Sequence, residues 1–255
     1  MWIDSHAHLF DLAENELPEL IAEARRESVS TIISTATDLK NSETVISQCV
    51  SYDEILGAAG ISPFDVQNQN STWQDELRKL LNNPRMIAVG EIGIDNTNPT
   101  YPALEEQIPF FREQLIIARE IDKPAVIHSR GAEEMAVEIC LELGVKKALF
   151  HCFTGDSRSL QKIIESGYSI SFSGIVTFKN SPLDDIVKLV PDNRLFIETD
   201  APYLAPVPFR GQNNRPAMVR YTGDKIAAIK GISSDDLQVI LEDNFRRLFS
   251  VELST

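Results

Sequence analysis

The sequence predicts an α/β protein, a (β/α)8 barrel formed by one domain spanning residues 1–255. Three observations predict it: eight short apolar β-rich runs, segments of helical periodicity between them, and strands that are apolar throughout rather than at alternate positions. An antiparallel strand with one wet face alternates apolar and polar residues, whereas a strand buried on both faces of a parallel sheet does not need to. Eight such strands alternating with helices fit a closed barrel better than a doubly wound open sheet, the other arrangement this pattern permits.

In chain order, the first run is residues 2–3, followed by the stripe Leu17, Leu20, Ile21 and Ala24, which recurs at helical spacing. Runs two and three are 31–34 and 55–59, and Trp73 opens a helix before the fourth run, 86–89. Leu104, Ile108, Phe111 and Leu115 then mark a helix ahead of the fifth run, 125–127. Ala136, Ile139, Cys140 and Leu143 mark the next, ahead of runs 148–150 and 168–172. Leu183, Ile186, Val187 and Val190 lead into the eighth run, 195–197. Residues 201–216 hold Pro202, Pro206, Pro208 and Pro216 and read as a long ordered loop, in the place where barrels carry function. A closing helix is expected over 234–251, with Leu237, Ile240, Leu241 and Leu248 on one face.

Composition narrows the function. A formal net charge of −14 argues against a broad basic surface that grips nucleic acid by neutralising phosphates, so any phosphate must be held locally. Three cysteines, Cys49, Cys140 and Cys152, form no C-x-x-C pair and leave an odd count, which disfavours a disulfide framework and a thiolate zinc site. A reducing cytoplasm fits this usage. The opening residues hold no basic region followed by an apolar stretch, so no export is expected, and no run approaches the ~18 apolar residues of a membrane span.

All four histidines follow apolar runs: His6 and His8 after the first, His128 after the fifth and His151 after the sixth. Glu91 and Asp200 sit in matching places after the fourth and eighth. One histidine so placed is more often a core or surface residue than a ligand, but all four together are hard to produce by packing. The inventory suits a catalytic centre for one or two divalent cations. His6, His8 and Asp200 would hold one ion, and Glu91 would bridge it to a second held by His128 and His151. Such a pair lowers the pKa of a shared water and stabilises a developing oxyanion. Asp200 is the candidate to take the proton from that water, ligation alone being its other reading.

Arg130, two residues beyond His128, would place a guanidinium fork for phosphate or carboxylate oxygens, unless it forms a surface ion pair. Arg210 and Arg215 are the basic pair of the late loop, either clamping substrate phosphate or simply solvated. Asp95 and Glu198 read as groups that orient imidazoles rather than as ligands. No G-x-S-x-G elbow and no G-x-x-x-x-G-K loop occurs, so neither serine catalysis nor triphosphate binding is supported. Trp2, opening the first strand, and Trp73, beginning a helix at the rim, are expected to pack rather than to stack on bases.

Five motifs in order carry a resemblance. They are Ile3-Asp4-Ser5-His6-Ala7-His8-Leu9, Gly90-Glu91-Ile92-Gly93-Ile94-Asp95, Pro124-Ala125-Val126-Ile127-His128-Ser129-Arg130, His151-Cys152-Phe153-Thr154-Gly155 and Glu198-Thr199-Asp200-Ala201-Pro202-Tyr203-Leu204. Together they resemble the TatD family of metal-dependent deoxyribonucleases and related hydrolases, within the amidohydrolase barrel superfamily. The resemblance implies two divalent ions, Mg2+, Mn2+ or Zn2+, with His6, His8, Glu91 and Asp200 at one position and Glu91, His128 and His151 at the other. It implies DNA as substrate, and because a barrel mouth ringed by loops takes a single strand more easily than a duplex, cutting is expected from an end. Five positions in three places depart from the family pattern. Ser62 and Phe64 stand where two histidines are usual, Arg215 where a glutamate is, and Asn96-Thr97 where an aromatic pair is. These keep the reaction class but leave a second expectation open, an ester or amide hydrolase such as an aminoacyl-tRNA deacylase. A barrel that binds metal without turnover is a third.

Overall fold

The structure, a computed structural model, describes residues 1–12, 15–179 and 181–251. Eight parallel strands form one sheet, hydrogen-bonded in chain order from first to last. The strands are β1 (Trp2–Ala7), β2 (Val29–Thr35), β3 (Ile55–Ala59), β4 (Met86–Asp95), β5 (Ala125–Arg130), β6 (Ala148–Phe150), β7 (Ser169–Phe172) and β8 (Leu195–Ile197). The helices between and after them are α1 (Leu17–Arg26), α2 (Leu39–Ser51), α3 (Trp73–Leu81), α4 (Leu104–Glu120), α5 (Glu133–Glu142), α6 (Ser157–Glu165), α7 (Leu183–Leu189), α8 (Val219–Lys230) and α9 (Ser234–Phe249). This is the (β/α)8 barrel the sequence predicts, and each of the eight apolar runs lies in or overlaps a strand. No described helix is long and apolar enough to cross a membrane.

The chain divides into two compact units, Met1–Ser34 with Cys152–Thr154 and Ile170–Thr255, and Thr35–His151 with Gly155–Ser169. In the first, β1 meets the chain beyond β8 through a parallel bridge between Ala7 and Ala201. His8 N donates to Ala201 O at 2.6 Å and Asp200 N to His6 O at 2.9 Å. Trp2 packs against α8, where a Cβ on Gly223 would lie 2.3 Å from the indole. Ser233 caps α9 by accepting from Asp236 N, and the left-handed Ser250 (φ 56°) ends it.

In the second unit, β4 pairs with both β3 and β5, and Asp38 and Asp156 cap α2 and α6 by accepting from Asn41 N and Ser159 N. Trp73 stacks on Phe110 with ring centroids 5.0 Å apart. Both tryptophans are buried, as expected.

The strands run further than the apolar runs suggest, and this moves the expected site residues. His6, Glu91 and His128 lie inside β1, β4 and β5, not beyond their ends. Polar residues near a strand's C-terminal end read as the end of the strand, yet here they are buried and the ladder continues through them. His8 and His151 do follow directly on β1 and β6.

Candidate metal centre

Strand geometry presents His6 and His8 together, because side chains two apart on an extended chain share a face. Their Nε2 atoms lie 3.2 Å apart, with the rings edge to face at 81°. Asp200 joins them from the turn after β8: its Oδ1 lies 3.3 Å from His8 Nε2 and 3.8 Å from His6 Nε2. Asp200 adopts a left-handed φ of 58°, tolerable for aspartate and incompatible with an N-cap, which has extended backbone. Both imidazoles are buried.

Beneath this cluster, Asp4 accepts hydrogen bonds from Thr199 N at 2.8 Å and from Thr199 Oγ1. Burial pushes the Asp4 carboxyl up to about 8 in spite of these bonds. Asn214 fastens the late loop by donating Nδ2 to Thr199 O and Tyr203 O, both at 2.7 Å. Ser171 donates to Glu198, so Glu198 braces β7 against the segment after β8.

The second unit builds its own cluster. Glu91 Oε1 lies 3.1 Å from His128 Nδ1 and 3.4 Å from His151 Nε2, all three side chains buried. The other ring nitrogen, His128 Nε2, lies 2.9 Å from Asp95 Oδ2. Burial alone would raise Asp95, but hydrogen bonds from His128 and Thr97 outweigh it and hold the carboxyl down to about 2. An ionised Asp95 only accepts, so His128 donates Nε2–H to it and a neutral ring keeps its lone pair on Nδ1. That lone pair faces a carboxylate oxygen at 3.1 Å. Two acceptors aimed at each other in a buried place are stabilised by a cation between them, and the set Glu91, His128, His151 offers three donor atoms within 4.8 Å of one another. The donors therefore fit a divalent ion.

Gln107 of α4 secures this edge, accepting from Asp95 N at 2.8 Å and donating to Asp95 O at 2.9 Å. One turn pair later, Gln114 clamps Ile61 N and O at 2.7 and 2.9 Å. No role for Gln107, Gln114, Asp4 or Asn214 was expected from the sequence. A signal existed for the glutamines: both fall on the buried stripe of an amphipathic helix, where an amide is retained only with partners.

The arginines are less gathered. Arg130 is half-buried at the end of β5, opposite Asp95 in the strand register. Arg210 is exposed and covers the Phe178 ring at 3.7 Å. Arg215 is exposed and pairs with Glu23 of α1 at 3.0 Å. Phe64, in the place of a family histidine, sets its ring edge to face against His128 with centroids 5.1 Å apart. Ser62, in the other, donates to Asp65 at 2.8 Å and accepts from Phe64 N at 3.2 Å.

A parallel barrel with buried histidine–carboxylate clusters at the C-terminal parts of its strands defines a class, the metal-dependent barrel hydrolases. The family model "TatD related DNase" matches residues 3–250. The chain is 35% identical over 260 residues to the uncharacterized metal-dependent hydrolase YcfH of Escherichia coli (strain K12), covering 99% of this chain and 97% of that one. It is 30% identical over 243 residues to the 3'-5' ssDNA/RNA exonuclease TatD of Erwinia tasmaniensis, covering 91% and 93%. Among solved structures, the TatD homologue YJJV of Escherichia coli K12 superimposes with a TM-score of 0.93 at 26% identity, over 98% of each chain. The protein belongs to the TatD family and is a metal-dependent hydrolase.

Proposed function

We propose that this chain is a two-cation phosphodiesterase that removes nucleotides from an end of single-stranded DNA. The observation that carries this reading is the pairing of His128 Nδ1 with Glu91 Oε1 while Asp95 holds the opposite ring nitrogen, a donor set preorganised for a cation. The Erwinia relative, named as an exonuclease on ssDNA and RNA, supports the choice of polymer. His6, His8 and Asp200 would hold one ion and His128 and His151 the other, with Glu91 shared between them. Bound Mg2+, Mn2+ or Zn2+ supplies a low-pKa water and charge for the developing oxyanion.

The protein's own groups do the rest. Asp95 fixes the tautomer of His128, Asp200 takes the proton from the attacking water, and Arg130 meets a phosphate oxygen. Arg210 and Arg215 contribute to holding the strand once substrate competes for their present partners. The protein works in the cytoplasm on this reading, in keeping with Cys49, Cys140 and Cys152, all buried and none in a disulfide. The second reading, an aminoacyl ester or amide hydrolase, rests on Ser62 and Phe64, which remove two imidazoles from the side where phosphate would be met.

Purified protein with Mn2+ is expected to shorten end-labelled single-stranded DNA progressively. Glu91→Gln should lower the rate more than about a hundredfold, beyond the usual effect of a partner outside the ligand set, and Arg130→Ala much less. Equal losses would contradict the shared role of Glu91. Absence of nucleotide release with Mg2+, Mn2+ or Zn2+, alongside hydrolysis of aminoacyl or simple esters, would establish the second reading instead.

A further inference from the structure

Next to the cluster of Glu91, His128 and His151 the second unit carries an aromatic edge that metal chemistry does not use. Phe64 is half-buried, and its ring lies 5.1 Å from His128 and 4.6 Å from Tyr101, the latter pair inclined at 61°. Tyr101 is 36% exposed, enough to offer a face to a ligand. The turn holds Phe64 in place: Ser62 Oγ accepts from Phe64 N and donates to Asp65 Oδ2. A ring fixed before binding loses little entropy on contact.

Tyr101 also walls a cleft of about 460 Å³ that begins at Asp95 and is lined by Asn96, Thr97 and Asn98. Its charged lining groups are Asp95 and Glu105, and no lysine or arginine lines it among the described residues. Two acids repel phosphate. The cleft therefore suits a neutral, flat group with hydrogen-bonding edges. Asn98 Oδ1 already accepts from Thr100 N and Oγ1 at 3.0 and 2.8 Å, which leaves its Nδ2 as a donor for a ring nitrogen or carbonyl.

We propose that Phe64 and Tyr101 form a stacking subsite for the nucleobase of the nucleotide next to the bond being cut, with the amides of Asn96 and Asn98 at its edge. This rests on the phosphodiesterase reading above. Phosphate is met at the metal cluster and the base is met here, so an acidic protein gains hold on a polyanion through a flat part of it that carries no charge. Stacking tolerates any base, and purines, with the larger face, bind better than pyrimidines.

The test uses the full chain with Mn2+ and single-stranded oligonucleotides that end in 2-aminopurine, the terminal linkage a phosphorothioate to slow hydrolysis. Wild type should quench the terminal fluorescence on binding. Phe64→Leu and Tyr101→Ala should lose the quenching and bind roughly 5- to 150-fold more weakly, the range of one lost base–aromatic stack. An abasic terminus should weaken wild type by a similar factor and leave Phe64→Leu almost unaffected, because each change removes the same contact. Retained quenching and affinity in both variants, or equal binding of intact and abasic strands by wild type, overturns the subsite. Tyr101 lies on an exposed loop, so its variant reads the contact even if Phe64→Leu unfolds. Cleavage of ordinary oligonucleotide by wild type with unchanged binding by both variants sinks the subsite alone. No cleavage of any strand sinks the phosphodiesterase reading and the subsite with it.

Discussion

His128 can serve a cation only if one chosen nitrogen faces it, and Asp95 makes that choice. The carboxylate accepts from Nε2 at 2.9 Å and stays ionised, held down to about 2 by His128 and Thr97 against its burial. An amide at 95 could accept or donate, so Asp95→Asn would no longer select the tautomer with Nδ1 free. We expect that substitution to weaken Mn2+ binding by about 10- to 100-fold, as read by isothermal titration of metal-stripped protein. Unchanged affinity would show that the tautomer is set elsewhere. Asp95 was legible in the sequence only as a group that orients an imidazole rather than as a ligand. Gln107, which holds the backbone of Asp95 on both sides, was not. An amide carries no charge and no metal affinity, and only its place on the apolar stripe of α4 betrays it.

At the scale of elements, the second cluster depends on how closely β4 and β5 approach. Gly93 pairs with His128 in the register, and a Cβ at Gly93 would lie 1.9 Å from His128 O. Its φ of +147° is likewise closed to other residues. Gly93→Ala must therefore push the two strands apart where Glu91 and His128 meet. We expect a loss of more than about 2 kcal/mol in unfolding free energy, since strain and steric conflict add, and a larger relative loss of metal binding. Denaturant titration of metal-free protein checks the first. A variant as stable as wild type would mean that β4 has room to shift. The same glycines explain why β4 was read as 86–89 when it runs to Asp95. Gly90 and Gly93 look like turn residues, and here they serve close approach of backbones instead. Ser62 and Phe64 were legible as departures, but that Phe64 would lie against His128 and Tyr101 was not, since it depends on where two loops pass.

For the whole molecule, the alternation of eight apolar runs with helical stripes favoured the fold that is found, because eight strands buried on both faces fit a closed barrel better than a doubly wound open sheet. Charge raises a separate question. A net charge of −14 repels the polyanion that we propose as substrate, and the exposed arginine Arg215 already faces an acid in Glu23. The Debye length falls from about 30 Å at 0.01 M salt to about 10 Å at 0.1 M, so added salt first screens the long-range repulsion and only later weakens short contacts to buried groups. We therefore expect kcat/KM on single-stranded DNA to rise between these concentrations. A protein that tracks DNA on a basic surface behaves oppositely, its affinity falling steeply as counterions compete. On an oligonucleotide with neutral methylphosphonate linkages away from the cleaved bond, the rise should flatten, because the repulsive partner is gone. A steady fall on ordinary DNA across the same range would place a basic track on this surface, and local capture by the metal cluster and Arg130 would no longer explain how an acidic barrel holds its substrate.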